Sequence, residues 1–243
     1  MENYKIIFSN IGYAKAFDGS ARKYLLHCHR YLHPTKRLTK KTLTAIHAML
    51  RREQPDVFLC VETNPELTLD IAKHFPFHHA AVKYGPESIC RKLPILRKNS
   101  NSLYAKEPVS CRTHFLSIGM KRLLYEITLP HDITLFVGHF SLSKSRRRKQ
   151  WQELAQLIGA KKRVIVCGDF NCATGVKELA PLLKTAHLTI ANTATKTFPT
   201  SRPAKNIDLF LCSPDIRVIQ CDTIAATYSD HLPVRLVVAV NKD

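Results

Sequence analysis

Six stretches of the chain place a cation-binding or proton-moving residue at the edge of an apolar run. Ile6-Ile7-Phe8-Ser9-Asn10 ends in an amide, Asp56-Val57-Phe58-Leu59-Cys60-Val61-Glu62 in a carboxylate, and Leu135-Phe136-Val137-Gly138-His139 in an imidazole. Val164-Ile165-Val166-Cys167-Gly168-Asp169-Phe170-Asn171 ends in an acid and an amide two positions apart, on one side of the chain if the extended path continues. Asn206-Ile207-Asp208-Leu209-Phe210-Leu211 opens with an acid, and Ser229-Asp230-His231-Leu232-Pro233-Val234 sets an acid and a histidine before the last run. Any one of these reads as a solvated charge or an ordinary strand-end residue. Six in one chain supply hard oxygen donors together with imidazoles, the groups that metal-assisted phosphoryl transfer requires.

Such residues meet only if the runs that carry them lie side by side. The apolar runs at 4–9, 56–61, 123–129, 133–138, 163–168, 207–212 and 234–240 are short and rich in Val, Ile, Leu and Phe, which predicts buried strands. Between them lie amphipathic segments. Over 39–53, Leu43, Ile46, Leu50 and the stem of Arg51 share a face, with Thr39 or Thr42 as caps. Thr63-Asn64-Pro65-Glu66 starts a second helix running to about His74, with a capping residue followed by proline. Further helices are predicted over 144–159, around Trp151, Leu154, Leu157 and Ile158, over 176–186, and over 16–33 ahead of Pro34. The proline-containing stretch 85–113 reads as a loop-rich connection with two short strands. No repeat or compositional break divides the chain, so a single domain over residues 1–243, mixing strands and helices, is expected.

Composition narrows the partner. The chain has 243 residues, 37 Lys plus Arg against 19 Asp plus Glu, and a formal charge of +18. That excess favours a polyanion: nucleic acid first, an anionic phospholipid surface or a small phosphoester second. No apolar stretch approaches the ~18 residues of a membrane span, and the N-terminal run is too short for a signal peptide. The eight cysteines are scattered, several inside apolar runs, and read as reduced thiols of a cytoplasmic protein. The sequence specifies no oligomeric state.

The ordered set Ser9-Asn10-Ile11-Gly12, Gln54-Pro55-Asp56-Val57 leading to Glu62, Gly138-His139-Phe140, Gly168-Asp169-Phe170-Asn171, Asn206-Ile207-Asp208 and Ser229-Asp230-His231-Leu232-Pro233 resembles the endonuclease/exonuclease/phosphatase superfamily. Its motifs span residues 9 to 234, nearly the whole chain. The resemblance implies an α/β (α+β) fold, a deoxyribonuclease I-like four-layer sandwich of two mixed β-sheets flanked by helices. It implies a Mg²⁺ site (Mn²⁺ as the substitute) at Glu62 with Asn10 and, in support, Asp230. Asp169 matches the residue that positions and deprotonates water, and Asp208 with His231 an acid–imidazole pair; the family leaves open which of Asp169 and His231 is the base. Asn171 and His139 match groups that touch the phosphate. Two departures stand out. Gly12 replaces an acid found two positions after the first asparagine in abasic-site nucleases. The Trp-Cys-Asp-Arg signature of inositol phosphatases is absent at Lys205-Asn206-Ile207-Asp208.

The run Lys144-Ser145-Arg146-Arg147-Arg148-Lys149 begins a few residues after His139, and Arg146 and Arg147 are candidates to hold substrate. Lys36, Arg37, Lys40 and Lys41 form a second basic cluster, and Lys161-Lys162-Arg163 a third that reads as a solvated turn. His27-Cys28-His29 with His33 lacks the further ligands of a zinc site and is read as an ordinary helix. The expected activity is Mg²⁺-dependent phosphodiester hydrolysis of DNA or RNA. The alternatives are a phospholipid or small-molecule phosphodiesterase or phosphatase of the same family, and a non-catalytic nucleic-acid-binding protein on the same fold.

Overall fold

The computed structural model describes residues 2–15, 35–94, 96–172 and 174–240. The expected 16–33 helix, with His27, Cys28, His29 and His33, lies outside them. Among the described residues, twelve strands form two six-stranded sheets. The first joins β11 (Val218–Thr223), β12 (Val234–Val240), β1 (Glu2–Asn10), β2 (Val57–Thr63), β4 (Ser100–Ala105) and β3 (Phe77–Val82), in that order. The second joins β5 (Ser110–Phe115), β6 (Leu123–Leu129), β7 (Ile133–His139), β8 (Val164–Asp169), β10 (Asp208–Cys212) and β9 (Thr189–Ile190). β1 with β2 and β7 with β8 pair in parallel, and the other pairs are antiparallel. Both sheets are therefore mixed.

The apolar runs are continuous because their strands are buried on both faces. Ile6 and Phe8 of β1, Leu59 of β2, Val137 of β7, Cys167 of β8 and Leu236 of β12 point into the core between the sheets. The alternate residues Ile7 and Phe58 point outward, against Ile46, Met49 and Leu50 of α1 (Lys36–Glu53) and Leu67 and Ile71 of α2 (Pro65–Ala72). On the far side, Phe136, Val164 and Val166 meet Trp151, Leu154 and Ile158 of α3 (Lys144–Ile158) and Leu182 of α4 (Ala180–Thr185). Helices, sheet, sheet and helices make the four layers. Asn64 caps α2 as its sequence indicates, its Oδ1 accepting from the Leu67 amide at 3.0 Å. For α1 the cap is Thr35, which accepts from the Leu38 amide at 3.3 Å; Thr39 and Thr42 are buried inside the helix, and Arg51 is exposed rather than packed.

One backbone contact fixes how the second sheet closes at its functional end. Gly138 of β7 pairs with Gly168 of β8. A Cβ on Gly168 would lie 2.0 Å from the Gly138 carbonyl oxygen, where no side chain can yield. Gly168→Ala is therefore expected to destabilise the fold by about 4 kcal/mol, at the upper end of single-substitution effects. Chemical denaturation monitored by circular dichroism measures it; a loss below about 1 kcal/mol would show that the strands part easily.

Candidate active site

Parallel and antiparallel registers bring the polar strand ends to one end of the sandwich. Asn10 is level with Val61 across β1 and β2, one residue before Glu62. His139 is level with Asp169 across β7 and β8, and Asp169 with Asp208 across β8 and β10. His231 sits in the turn before β12, whose Val234 pairs with Phe8 of β1. Two of these residues adopt left-handed backbone conformations that side chains disfavour: Glu62 (φ 58°), where the β2–β4 register shifts, and Asn171 (φ 50°), in the turn after Phe170. Strain of this kind collects at functional sites.

Asp169 is the hub. Its Oδ1 accepts the Asn171 backbone amide at 3.0 Å, its Oδ2 accepts Asn10 Nδ2 at 3.1 Å, and His139 Nε2 lies 3.1 Å from the same oxygen. Burial alone would raise this carboxyl. The His139 contact, with His231 and Lys121 nearby, outweighs burial and holds it well below the usual range, hence ionised. Asp208, buried, accepts from His231 Nδ1 at 2.8 Å, while its own amide donates to Thr197 Oγ1 at 3.3 Å. Against the lowering effect of burial, Asp208, Asp169 and Asp230 push the His231 ring up to about 10, so it is an imidazolium at neutral pH. His139 goes the other way: burial and then Lys121 bring it down to about 4, leaving it neutral. Asn171 donates through Nδ2 to the Phe140 carbonyl at 2.9 Å.

Glu62 lies beside this group, its Oε1 3.9 Å from His139 Nδ1 and 3.9 Å from Lys121 Nζ. Burial would raise it, but Lys121, His139 and Lys83 together hold it at about 2. Asn10 Oδ1 accepts from the Gly12 amide at 3.1 Å, and a Cβ on Gly12 would come within 3.3 Å of Asp230 Oδ1. Asn10 thus adjoins the end of β2 that carries Glu62 on one side and, through Gly12, Asp230 on the other, and their carboxylate and amide oxygens are the donors a magnesium ion takes. The donor chemistry fits. So does the buried His139 Nδ1, which faces Glu62 and has no hydrogen-bond partner among the described residues. Asp169, Asp208 and His231 also cluster, with one potential ligand atom each inside 4.8 Å of the others. Because an imidazolium has no lone pair to offer, that trio is suited to the Asp208–His231 ion pair rather than to a metal.

The two arginines separate. Arg146 is exposed on the first turn of α3. Arg147 turns inward, 3% exposed, donates to Glu178 Oε2 through Nη2 at 2.5 Å and to the Leu142 carbonyl through Nη1 at 2.8 Å. The substrate-holding role expected for Arg147 is corrected accordingly, since its guanidinium braces α3 against the segment that carries Glu178. Arg147→Met is expected to cost about 3 kcal/mol by leaving Glu178 buried without its partner. Hydrogen bonds from the Thr174 hydroxyl and then from Arg147 hold the Glu178 carboxyl below its usual range against the effect of burial, so their contribution is present above the unfolded carboxyl pKa. It is lost as pH falls through the lower folded value. Denaturation of wild type and variant at neutral and acid pH should show the gap narrowing in acid.

Sequence reasoning missed the site's other cations. Lys121, in the turn before β6, contacts His139 Nε2; Lys83, following β3, is 7% exposed and donates to the Tyr13 hydroxyl. Lys15 joins the same network, 4.7 Å from the Tyr13 ring centre and under the influence of Glu62 and Asp230. Their one signal in the sequence is position: each abuts an apolar segment, as the acids do.

The profile of the endonuclease/exonuclease/phosphatase family matches residues 19–231. The chain belongs to that family. The family consists in general of phosphoester hydrolases that depend on a divalent metal. The fold agrees with solved structures of low sequence identity. A family protein from Bacteroides thetaiotaomicron superposes with a TM-score of 0.70 at 14% identity, covering 98% of this chain and 95% of that one. The mannosyl-6-phosphatase of the same species gives 0.68 at 15%, covering 98% and 100%. A humanized D. rerio TDP2 carrying 14 mutations gives 0.67 at 15%, covering 98% and 99%. No curated protein matches the chain in sequence. The two mixed sheets with flanking helices are thus the family's sandwich, as its motifs imply.

Proposed function

We propose that this family member hydrolyses phosphodiester bonds in DNA or RNA by in-line attack of a water held at Asp169. The observation that carries the proposal is the convergence on Asp169 of Asn10, His139 and Asn171 from one side and the Asp208–His231 pair from the other. Glu62, Asn10 and Asp230 would hold the magnesium ion, or manganese in its place. When bound, that ion polarises the phosphoryl oxygen and offsets charge on the leaving oxygen. Asp169 is ionised and accepts a proton; His231, already an imidazolium, donates a hydrogen bond to a phosphate oxygen, with its ring oriented by Asp208. That division of roles favours Asp169 over His231 as the proton acceptor. Asn171 and His139 face the phosphate. Arg146, with its exposed neighbours Lys144, Arg148 and Lys149, extends the basic surface from the site toward a polyanion.

Residues 1–243 are read as a single catalytic domain. No helix among the described residues is long and apolar enough to cross a membrane, and the seven described cysteines are free thiols, which supports a cytoplasmic location.

A hydrolysis panel tests the reading: plasmid, single-stranded and abasic DNA, RNA, sphingomyelin and a phosphomonoester, with Mg²⁺, with Mn²⁺ and with chelator. Metal-dependent cleavage of nucleic acid is expected, with affinity falling steeply as salt rises. Cleavage of sphingomyelin alone would move the substrate to lipid. Binding of nucleic acid with no cleavage of any phosphoester would leave a binding protein.

A further inference from the structure

Away from the proposed active site, two imidazoles and a carboxylate form a chain of close contacts. His47 lies on α1, Asp70 in the last turn of α2 and His74 just after it, at the end of α2 opposite the one that follows Glu62. His47 Nε2 is 2.6 Å from Asp70 Oδ1, and His47 Nδ1 is 2.6 Å from His74 Nε2. The other Asp70 oxygen accepts from Lys73 Nζ at 2.7 Å. The helices do not need this chain to pack, because Ile46 and Leu50 of α1 already share an apolar cluster with Leu67 and Ile71 of α2.

The carboxylate decides where the ring protons sit. An ionised carboxylate accepts and cannot donate, so a neutral His47 carries its proton on Nε2 and turns the lone pair of Nδ1 toward His74. Two ring nitrogens that face each other this closely share one positive centre, either a proton or a metal ion. With a proton between them, His74 Nε2 donates to His47 Nδ1. His74 is exposed, so that proton can pass through water to His74 Nδ1. Both facing nitrogens then offer lone pairs, with no net proton gained or lost. Zinc–nitrogen bonds of about 2.0–2.1 Å set two tetrahedral ligands about 3.3 Å apart, so the His74 ring has to draw back by about 0.7 Å. A carboxylate on the far nitrogen of a ligating histidine is the contact that fixes its ring and raises its basicity. Lys73 and Arg51 are the cations facing this pair, and both are exposed, where water and salt screen them.

We propose that His47 Nδ1 and His74 Nε2 form a separate surface site for a borderline transition-metal ion such as Zn²⁺, with Asp70 orienting His47 and water completing the coordination. Imidazole nitrogens suit zinc, copper and nickel, whereas magnesium takes oxygen, so this site and the one at Glu62 differ in the ions they accept. A metal held here ties the exit of α2 to the middle of α1.

Calorimetric titration of the full chain with Zn²⁺ at pH 7.5 tests the site, with magnesium in large excess to occupy the oxygen donors. Zinc is expected to bind, and Asp70→Asn to weaken that binding by about tenfold, as loss of a group orienting a ligand does. His74→Gln, which removes a ligand, should weaken it by at least as much. His74 is exposed, so that variant should keep the wild-type circular dichroism spectrum. Zinc should also raise the thermal midpoint of the wild type and leave that of His74→Gln unmoved, since an ion bound to the folded state alone stabilises it. With Cu²⁺ in place of zinc, electron paramagnetic resonance should report two nitrogen ligands in the wild type and one fewer in His74→Gln. Absence of zinc binding by the wild type overturns the proposal, and that measurement needs no variant to fold. Equal zinc binding, or an equal thermal shift, in wild type and His74→Gln overturns it too, by placing the ion on other side chains. None of these measurements involves turnover, so the site stands or falls apart from the hydrolytic reading.

Discussion

Asp169→Asn should lower kcat for nucleic-acid cleavage by about 10³-fold, within the ~10²–10⁴ that a positioned acid or base contributes. KM should stay within about threefold. The change keeps the shape of the side chain and removes the one group placed to take a proton from water. His231 cannot substitute, since its ring is pushed up to about 10 and is already protonated at working pH. His139, although neutral, has its Nε2 against Lys121 and Asp169. The variant also carries a structural cost. Asp169 accepts from the Asn171 amide and from Asn10 Nδ2. An asparagine in either orientation turns its own donor toward one of them, at a cost of about 1–3 kcal/mol. Thermal melting therefore accompanies the kinetics, and rates are compared where both proteins are folded. A kcat within about tenfold of wild type would remove Asp169 from the reaction.

How far the sequence spoke depended on what each strand hides. β2, β7, β8, β10 and the second half of β1 are legible because burial on both faces demands nearly unbroken apolar runs, and β6 and β12 stay legible although Glu126, Thr128 and Arg235 interrupt theirs. β4 is just as buried, yet reads Ser100-Asn101-Ser102 at its start. Its hydroxyls are satisfied by distant ones: Thr63 Oγ1 lies 3.0 Å from Ser100 Oγ and 2.8 Å from Ser102 Oγ, and the Tyr125 hydroxyl donates to the Asn101 backbone carbonyl at 2.8 Å, while Asn101 Oδ1 is buried with no partner among the described residues. Hydroxyl ladders of that sort leave no period in the sequence. β3 and β11 lie at sheet edges, with mixed or exposed side chains, and are faint for the opposite reason. The site divides similarly. Acids, amides and histidines at strand ends are conspicuous because those residue types are rare beside buried runs. Lysines are not, because a lysine beside a strand is ordinarily a solvated charge, and only the fold brings Lys83 and Lys121 to Glu62. Arg147 shows the converse: a basic run looks uniform in sequence, while helical periodicity turns one of its members into the core and leaves Arg146 outside.

Glu62→Gln should produce the second large loss, and of a different kind. With the carboxylate held at about 2 by Lys121, His139 and Lys83, Glu62 presents a full negative charge at every working pH. Glutamine keeps an oxygen donor and loses that charge. The magnesium concentration giving half-maximal activity should rise at least about a hundredfold. At substrate well below KM and ordinary magnesium, kcat/KM should fall by about 10³, which corresponds to roughly 4 kcal/mol, three tenfold steps of about 1.36 kcal/mol each. Calorimetric titration with Mg²⁺ and Mn²⁺ reads the same change without turnover, and chelation of the wild type should reproduce the kinetic loss. The variant also leaves the Lys83 ammonium buried without the carboxylate that supports its charge, an uncompensated charge worth about 3 kcal/mol of stability. Combining Glu62→Gln with Lys83→Met should therefore recover stability without recovering metal affinity, because the two effects arise from different partners of one carboxylate. If the double variant regained both, Glu62 would be a counter-ion to lysine and the cation would have to be held elsewhere. If it regained neither, Lys83 would not depend on Glu62, and the charge balance of the site would need another partner for it.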